Sequence, residues 1–230
     1  MAANSFFFWA ALAFAVVVDS SSSPLFCSAY DLDPLQDFCV AVPDQVSAVF
    51  VNGKLCKNPK LVTVDDFLGF GFHLPGKFAA PTGFSVTVGD VNSIPGLNTQ
   101  GLTLIRVDIE PNGVVPPHTH PRATEVIVLL EGTIYAGFVT SNPPDGSKNR
   151  LFAKVLKAGD MFVFPIGMVH FQRNVGKTKA MGIVAFNSQN PGIISVANSV
   201  FGTEPHISPE LLTKSFQLDN KTIDYLFSKF

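Results

Sequence analysis

The sequence predicts an all-β fold, a barrel or two-sheet jelly roll with an N-terminal arm and short C-terminal α-helices. Three observations carry that expectation. From Phe84 onward, eight short segments rich in Val, Ile, Phe and Thr are bounded by Gly, Pro, Asn or Asp. Hydrophobic residues make up 47% of the 230 positions against 15% charged, and Phe alone supplies 22, so apolar material for a core is abundant. Beyond residue 190 the apolar spacing shifts from every second position to the three-and-four spacing of amphipathic helices.

In chain order the strand-like segments are FSVTVGD, GLTLIRVDIE, TEVIVLLEG, TIYAGFVT, LFAKVLKAGD, MFVFPIG, VHFQRNVG and AMGIVAFN. Turn residues separate them at Asn112-Gly113, Pro144-Asp145-Gly146 and Ala158-Gly159-Asp160. Residues 30–83 are less regular, with a strand-like QVSAVFVNGK and a Gly/Pro-rich stretch from Gly69 to Gly83, and are expected to wrap the barrel as an arm. Residues 84–190 form the barrel itself. In residues 191–230, Ser208 before Pro209 reads as a helix N-cap, and Leu211, Leu212, Phe216, Ile223, Leu226, Phe227 and Phe230 fall on apolar faces. Those faces either dock on a neighbouring subunit or cover their own barrel.

Residues 1–29 read as a signal peptide. The apolar run Phe6 to Val18 is too short to span a bilayer comfortably, and small residues suggest cleavage near Ala29. An uncleaved anchor is the alternative, since the leading residues carry no Lys or Arg. Cleavage would remove Cys27 and leave Cys39 and Cys56. In an oxidising compartment that pair suggests a disulfide, worth on the order of 3 kcal/mol, with two buried thiols as the alternative. Asn220-Lys221-Thr222 is a glycosylation sequon. A formal charge of -2, from 16 basic and 18 acidic residues without a basic cluster, speaks against nucleic acid as a partner.

Chemistry concentrates at two places. His118 and His120, two apart on an extended segment, can face one cavity, and a turn or bulge at Pro121-Arg122 would bring Glu125 to the same side. His170 closes a second strand-turn-strand unit bent at Pro165 and Gly167. Three imidazoles and a carboxylate make a mixed nitrogen and oxygen donor set suited to a first-row divalent ion. His73 and His206 lack partners at ligand spacing and are expected at the surface or at an interface. Arg106 and Asp108 are expected to face away from the cavity, in solvent or at a subunit contact, and Asn174 to orient a turn.

Gly159, Pro165, Gly167, His170 and Asn174 match the second cupin motif, and His118, His120, Glu125 and Gly132 the first, with Asn112 where Gly is usual. With DPLQDFCVA, PPHTHPRATE, HFQRNVGKT and FNSQNPGI in order, the chain from Asp33 to its C-terminus resembles plant germin-like proteins of the cupin superfamily. The resemblance implies a secreted cell-wall glycoprotein with a cupin jelly-roll barrel and a Cys39–Cys56 disulfide. It also implies a Mn ion held by His118, His120, Glu125 and His170, Fe or Zn being the other ions such donors accept. Assembly would be a homohexamer, a trimer of dimers clasped by the C-terminal helices.

An ion with four protein ligands and octahedral preference keeps positions open for chemistry, which fits a superoxide dismutase activity if the ion is Mn. True germins are oxalate oxidases with two asparagines that contact oxalate. Asn98 matches the first, and Ile105 replaces the second on a face shared with Val107 and Ile109, so oxalate oxidation is disfavoured. The alternative class is a non-catalytic wall or receptor-type protein whose metal is structural and whose barrel holds a small ligand.

Overall fold

A computed structural model of the chain describes Ala41, residues 54–79 and residues 81–230. The expected signal peptide, Cys39 and nearly all of QVSAVFVNGK lie outside the described residues. Within them, all eight expected segments are strands: β1 (Phe84–Gly89), β2 (Thr103–Ile109), β4 (Glu125–Glu131), β5 (Thr133–Val139), β6 (Leu151–Lys157), β7 (Met161–Phe164), β8 (Val169–Asn174) and β9 (Ala180–Phe186). Two more join them, β3 (Val114–Thr119) and β10 (Ile194–Ser195). Strand β3 carries Pro116 and Pro117, residues that cannot donate to a ladder, and its register against β8 shifts between Val115 and His118 to accommodate them.

The strands form two five-stranded antiparallel sheets, β1-β2-β9-β4-β7 and β10-β3-β8-β5-β6. Period-two alternation decides what each strand buries: in β9 every second residue from Ala180 to Phe186 is buried, and in β4 Glu125, Ile127 and Leu129 are. Ile109, Ile127, Leu129, Ile134, Leu156, Phe164 and Phe186 thereby fill one core. Strand β6 departs from the pattern. It lies at the edge of its sheet and buries only Leu156, leaving Leu151, Phe152 and Val155 exposed.

The arm, which includes two short 3-10 turns at Pro59–Leu61 and Val64–Phe67, is tied to the loop between β1 and β2. Asn98 is fully buried there and exchanges two hydrogen bonds with the Lys54 backbone, at 3.0 and 2.8 Å. Ala41 donates to the Pro95 carbonyl at 3.0 Å.

After β10 come α1 (Val196–Phe201), α2 (Pro209–Phe216) and α3 (Asn220–Phe227). Phe201, Leu212 and Ile223 bury against one another, so the helices form a second small core, while Leu211, Phe216 and Phe230 remain about half exposed. Ser208 occupies the N-cap position before Pro209 without a side-chain bond, whereas Asp219 caps α3 through the Thr222 N–H. Asn220 is exposed in the first turn of α3.

Between β2 and β3, Asn112 adopts φ 62°, the left-handed conformation that related motifs meet with Gly. Asn112→Gly is expected to leave stability within a few tenths of a kcal/mol, whereas Asn112→Val should cost about 1–2 kcal/mol. Urea unfolding of the two variants checks this, and equal midpoints would contradict it.

Candidate metal centre

Strand β8 presents His170, Gln172 and Asn174 inward by simple alternation. In the register with β3, His118 lies directly opposite His170, and their rings approach to 4.1 Å between centroids. His120 follows one residue after β3, and a turn at Pro121-Arg122 leads to Glu125, the first residue of β4. That turn carries the chain from one sheet to the other, which is how the odd offset between His120 and Glu125 is resolved. The carboxylate of the β1-β2-β9-β4-β7 sheet therefore meets imidazoles carried by β3 and β8 of the other.

His118, His120, Glu125 and His170 are 3%, 6%, 3% and 1% exposed, and one ligand atom from each lies within 4.8 Å of the others. Their orientation is set from behind. Nδ1 of His118 donates to the Pro116 carbonyl at 2.8 Å, Nδ1 of His170 to the Met168 carbonyl at 2.8 Å, and Nδ1 of His120 to the Gly192 carbonyl. A carbonyl can only accept, so each Nδ1 carries a proton and each Nε2 faces inward, where it can offer a lone pair to a cation. Phe164 stacks on His170 and Phe186 packs edgewise on His120, both at 4.6 Å, which fixes the ring planes.

The donor set fits a cation. Nε2 of His120 and of His170 each lie 3.0 Å from Glu125 Oε2. With Nδ1 already committed, so close an approach of two nitrogen lone pairs to a carboxylate requires positive charge between them, supplied by protons or by a metal ion. Burial opposes ionisation of Glu125, but hydrogen bonds from His120 and His170 outweigh it and hold its pKa at about 2. Burial, and then the neighbouring His170, push His118 down to about 4, leaving it neutral and ready to ligate.

Sequence reasoning did not find Gln172. Its Nε2 donates to Glu125 Oε1 at 3.2 Å and steadies the carboxylate, and its buried Oε1 has no partner among the described residues. The signal available was its inward position two residues after His170.

Beside the four residues lies a cavity of about 70 Å³, walled by Phe84, Ile105, Val107, Val115, Val184 and Phe186. Ile105 reaches it, as its shared face with Val107 implied. Asn98 is not among the lining residues, because its amide is spent on Lys54. Nor does Asp108 lie in solvent or at an open surface: it is buried in a two-point ion pair with Arg106, at 2.7 and 2.8 Å, and Arg106 also donates to the Phe72 carbonyl. Asn174 bonds the Ile109 and Thr178 carbonyls and the Gly176 N–H, a turn-orienting role. His73 and His206 are exposed and stand apart from the group, His206 stacking on Phe227.

Residues 70–224 match the Cupin family. Germin-like protein subfamily 1 member 7 of Arabidopsis thaliana is 55% identical over 205 residues, 89% of this chain and 88% of that protein. Member 20 of the same subfamily and plant is 54% identical, covering 89% and 90%. Among solved structures, an oxalate oxidase in complex with the substrate analogue glycolate is 43% identical with a TM-score of 0.80, covering 87% of this chain and 98% of that one. Peruvianin-I, described as a cysteine peptidase from Thevetia peruviana latex, is 41% identical with a TM-score of 0.65, covering 73% and 98%.

The metal-free protein should lose stability as the pH falls. Between pH 6.5 and about 4 the unfolded chain takes up a proton on His118 that the folded chain refuses, and from 4.5 toward 2 the same holds for Glu125. Both proton uptakes favour the unfolded chain, so urea midpoints of chelated protein should decline steadily below pH 6.5; a flat profile down to pH 4 would contradict this.

Proposed function

The chain belongs to the germin-like proteins of the cupin family, and on that premise we propose that it is a secreted, manganese-binding protein of the plant extracellular matrix that dismutates superoxide. The observation that carries the reading is the convergence of three Nε2 atoms and one carboxylate beside a small apolar cavity. His118, His120, Glu125 and His170 would hold the ion. Nitrogen and oxygen donors without thiolate suit manganese, with iron or zinc as the competing occupants.

Manganese supplies a one-electron couple, so that two superoxide ions and two protons yield dioxygen and hydrogen peroxide. The chain's own contribution is positional. The carbonyls of Pro116, Met168 and Gly192 keep each imidazole's Nε2 directed inward, and Gln172 holds Glu125. A cavity of about 70 Å³ has room for a diatomic ion. Ile105, Val107, Val115, Val184 and Phe186 offer no hydrogen bond to the four oxygens of oxalate. Each unpaired oxygen would cost on the order of 1–3 kcal/mol. On this reading the chain differs in substrate from the oxalate oxidase it resembles.

The same reading includes a signal peptide in residues 1–29, an arm over residues 30–83, a barrel over 84–190 and an oligomer-forming segment over 191–230. A homohexamer and a glycan on Asn220 belong to it, as does a Cys39–Cys56 disulfide. Supporting the last, Cys56 is disulfide-bonded and its backbone pairs with Ala41, two residues from Cys39.

Elemental analysis of protein purified from the plant apoplast should find manganese, and chelation should abolish superoxide turnover. Zinc without manganese or iron, or manganese-loaded protein inert toward superoxide, would overturn the proposal. His118→Ala and His170→Ala should each lower metal occupancy and activity at least 100-fold, whereas a purely structural ion would leave turnover absent from the wild type as well. Oxalate consumption should be undetectable in the wild type, and a rate comparable to superoxide turnover would favour the oxidase reading.

A further inference from the structure

The segment 187–193 crosses the His120 side of the centre, and its anchors are more specific than a surface loop requires. Thr124 N–H bonds Asn187 Oδ1 at 2.8 Å, and Thr99 N–H bonds Gln189 Oε1 at 2.6 Å. The largest share comes from Arg122. Its Nε and one terminal nitrogen reach the Asn190 carbonyl and Asn190 Oδ1 at 2.8 and 2.9 Å, and its backbone N–H reaches the Pro191 carbonyl at 3.2 Å. One residue further on, the Gly192 carbonyl receives Nδ1 of His120, and Ile193 lines the cavity.

His120 and Arg122 thus grip Gly192 and Asn190 from the same turn. Gly192 sits at φ 66°, and a Cβ on it would stand 2.7 Å from the Arg122 guanidinium. A residue this free in conformation does not fix its own carbonyl. Its direction is imposed by its neighbours, among them the guanidinium fork across Asn190 two residues earlier.

We infer that Arg122 is a positioning residue of the metal centre: by clamping Asn190 and Pro191 it holds the Gly192 carbonyl that sets the tautomer and ring orientation of His120. This rests on His120 being a metal ligand, as proposed above. Groups that orient a ligating imidazole are worth 10–100-fold in metal affinity, and Arg122 acts from further out, through Asn190 and Pro191, so an effect of about 10-fold is expected.

The test is the rate at which manganese-loaded full-length protein surrenders its ion to excess EDTA, with the Mn(II) electron paramagnetic resonance spectrum recorded beside it. Arg122→Ala should release the ion about 10-fold faster and alter the spectrum. Arg122→Lys should recover less than half of the loss, because an ammonium cannot span both Asn190 oxygens as the fork does. Should Arg122→Ala fail to fold, Asn190→Ala, which removes the Oδ1 contact, carries the test in the same direction with a smaller change. A merely structural role would lower the unfolding midpoint of the metal-free form and leave release rate and spectrum at wild-type values, which overturns the inference. Wild-type protein that takes up no manganese would instead overturn the metal reading beneath it, so the two failures are distinct.

Discussion

A buried carboxylate held against three imidazoles, with charge demanded between them, is the constraint on which the rest of the site depends. Glu125 comes from one sheet and His118 and His170 from the other, so the two layers must stay in register to within a fraction of an ångström. The core around Ile127, Phe164 and Phe186 supplies that rigidity. The same phenylalanines that fill the core also wall the rings of His120 and His170, so packing and ligand geometry are a single arrangement. Loosening the core would therefore be felt at the centre before it was felt in the fold.

Around that constraint, each imidazole and the carboxylate has a partner whose chemistry admits one role only. Carbonyls stand behind all three imidazoles, which commits each Nδ1 to donating and turns each Nε2 toward the centre. Gln172 donates to one carboxylate oxygen and leaves the other to the histidines. The remaining wall is hydrocarbon, so a ligand gains little from hydrogen bonding and selection falls on size and charge. The similarity to an oxalate oxidase structure lies in the fold, and in this chain Ile105 is one of the apolar residues that wall the cavity.

The strands and the four converging residues were legible in the sequence because both are written locally. Alternation in GIVAF or EVIVL needs no knowledge of a partner strand, and histidines two apart on an extended segment share a face whatever surrounds them. The positive φ of Asn112 was legible for the same reason, a single position in a short turn. What escaped is long-range. Asn98 could not be assigned to Lys54, 44 positions earlier, from spacing alone. Strand β3 was obscured by its own prolines, since the register shift that tolerates them exists only against β8. The Arg122 clamp on Asn190, across 68 positions, has no signature along the chain at all.

Strand β6 has a consequence of another kind. Seven residues long and, among the described residues, bonded on one side only, it offers unpaired backbone donors and acceptors together with exposed Leu151, Phe152 and Val155. Such an edge is a template on which another chain can add a strand, and unless a partner covers it the outcome is aggregation. Lys154 and Lys157 interrupt the apolar row, and bringing two copies edge to edge would crowd these ammonium groups against each other. The protein thus carries along this border a barrier to indiscriminate self-association, set by two lysines that take no part in its chemistry.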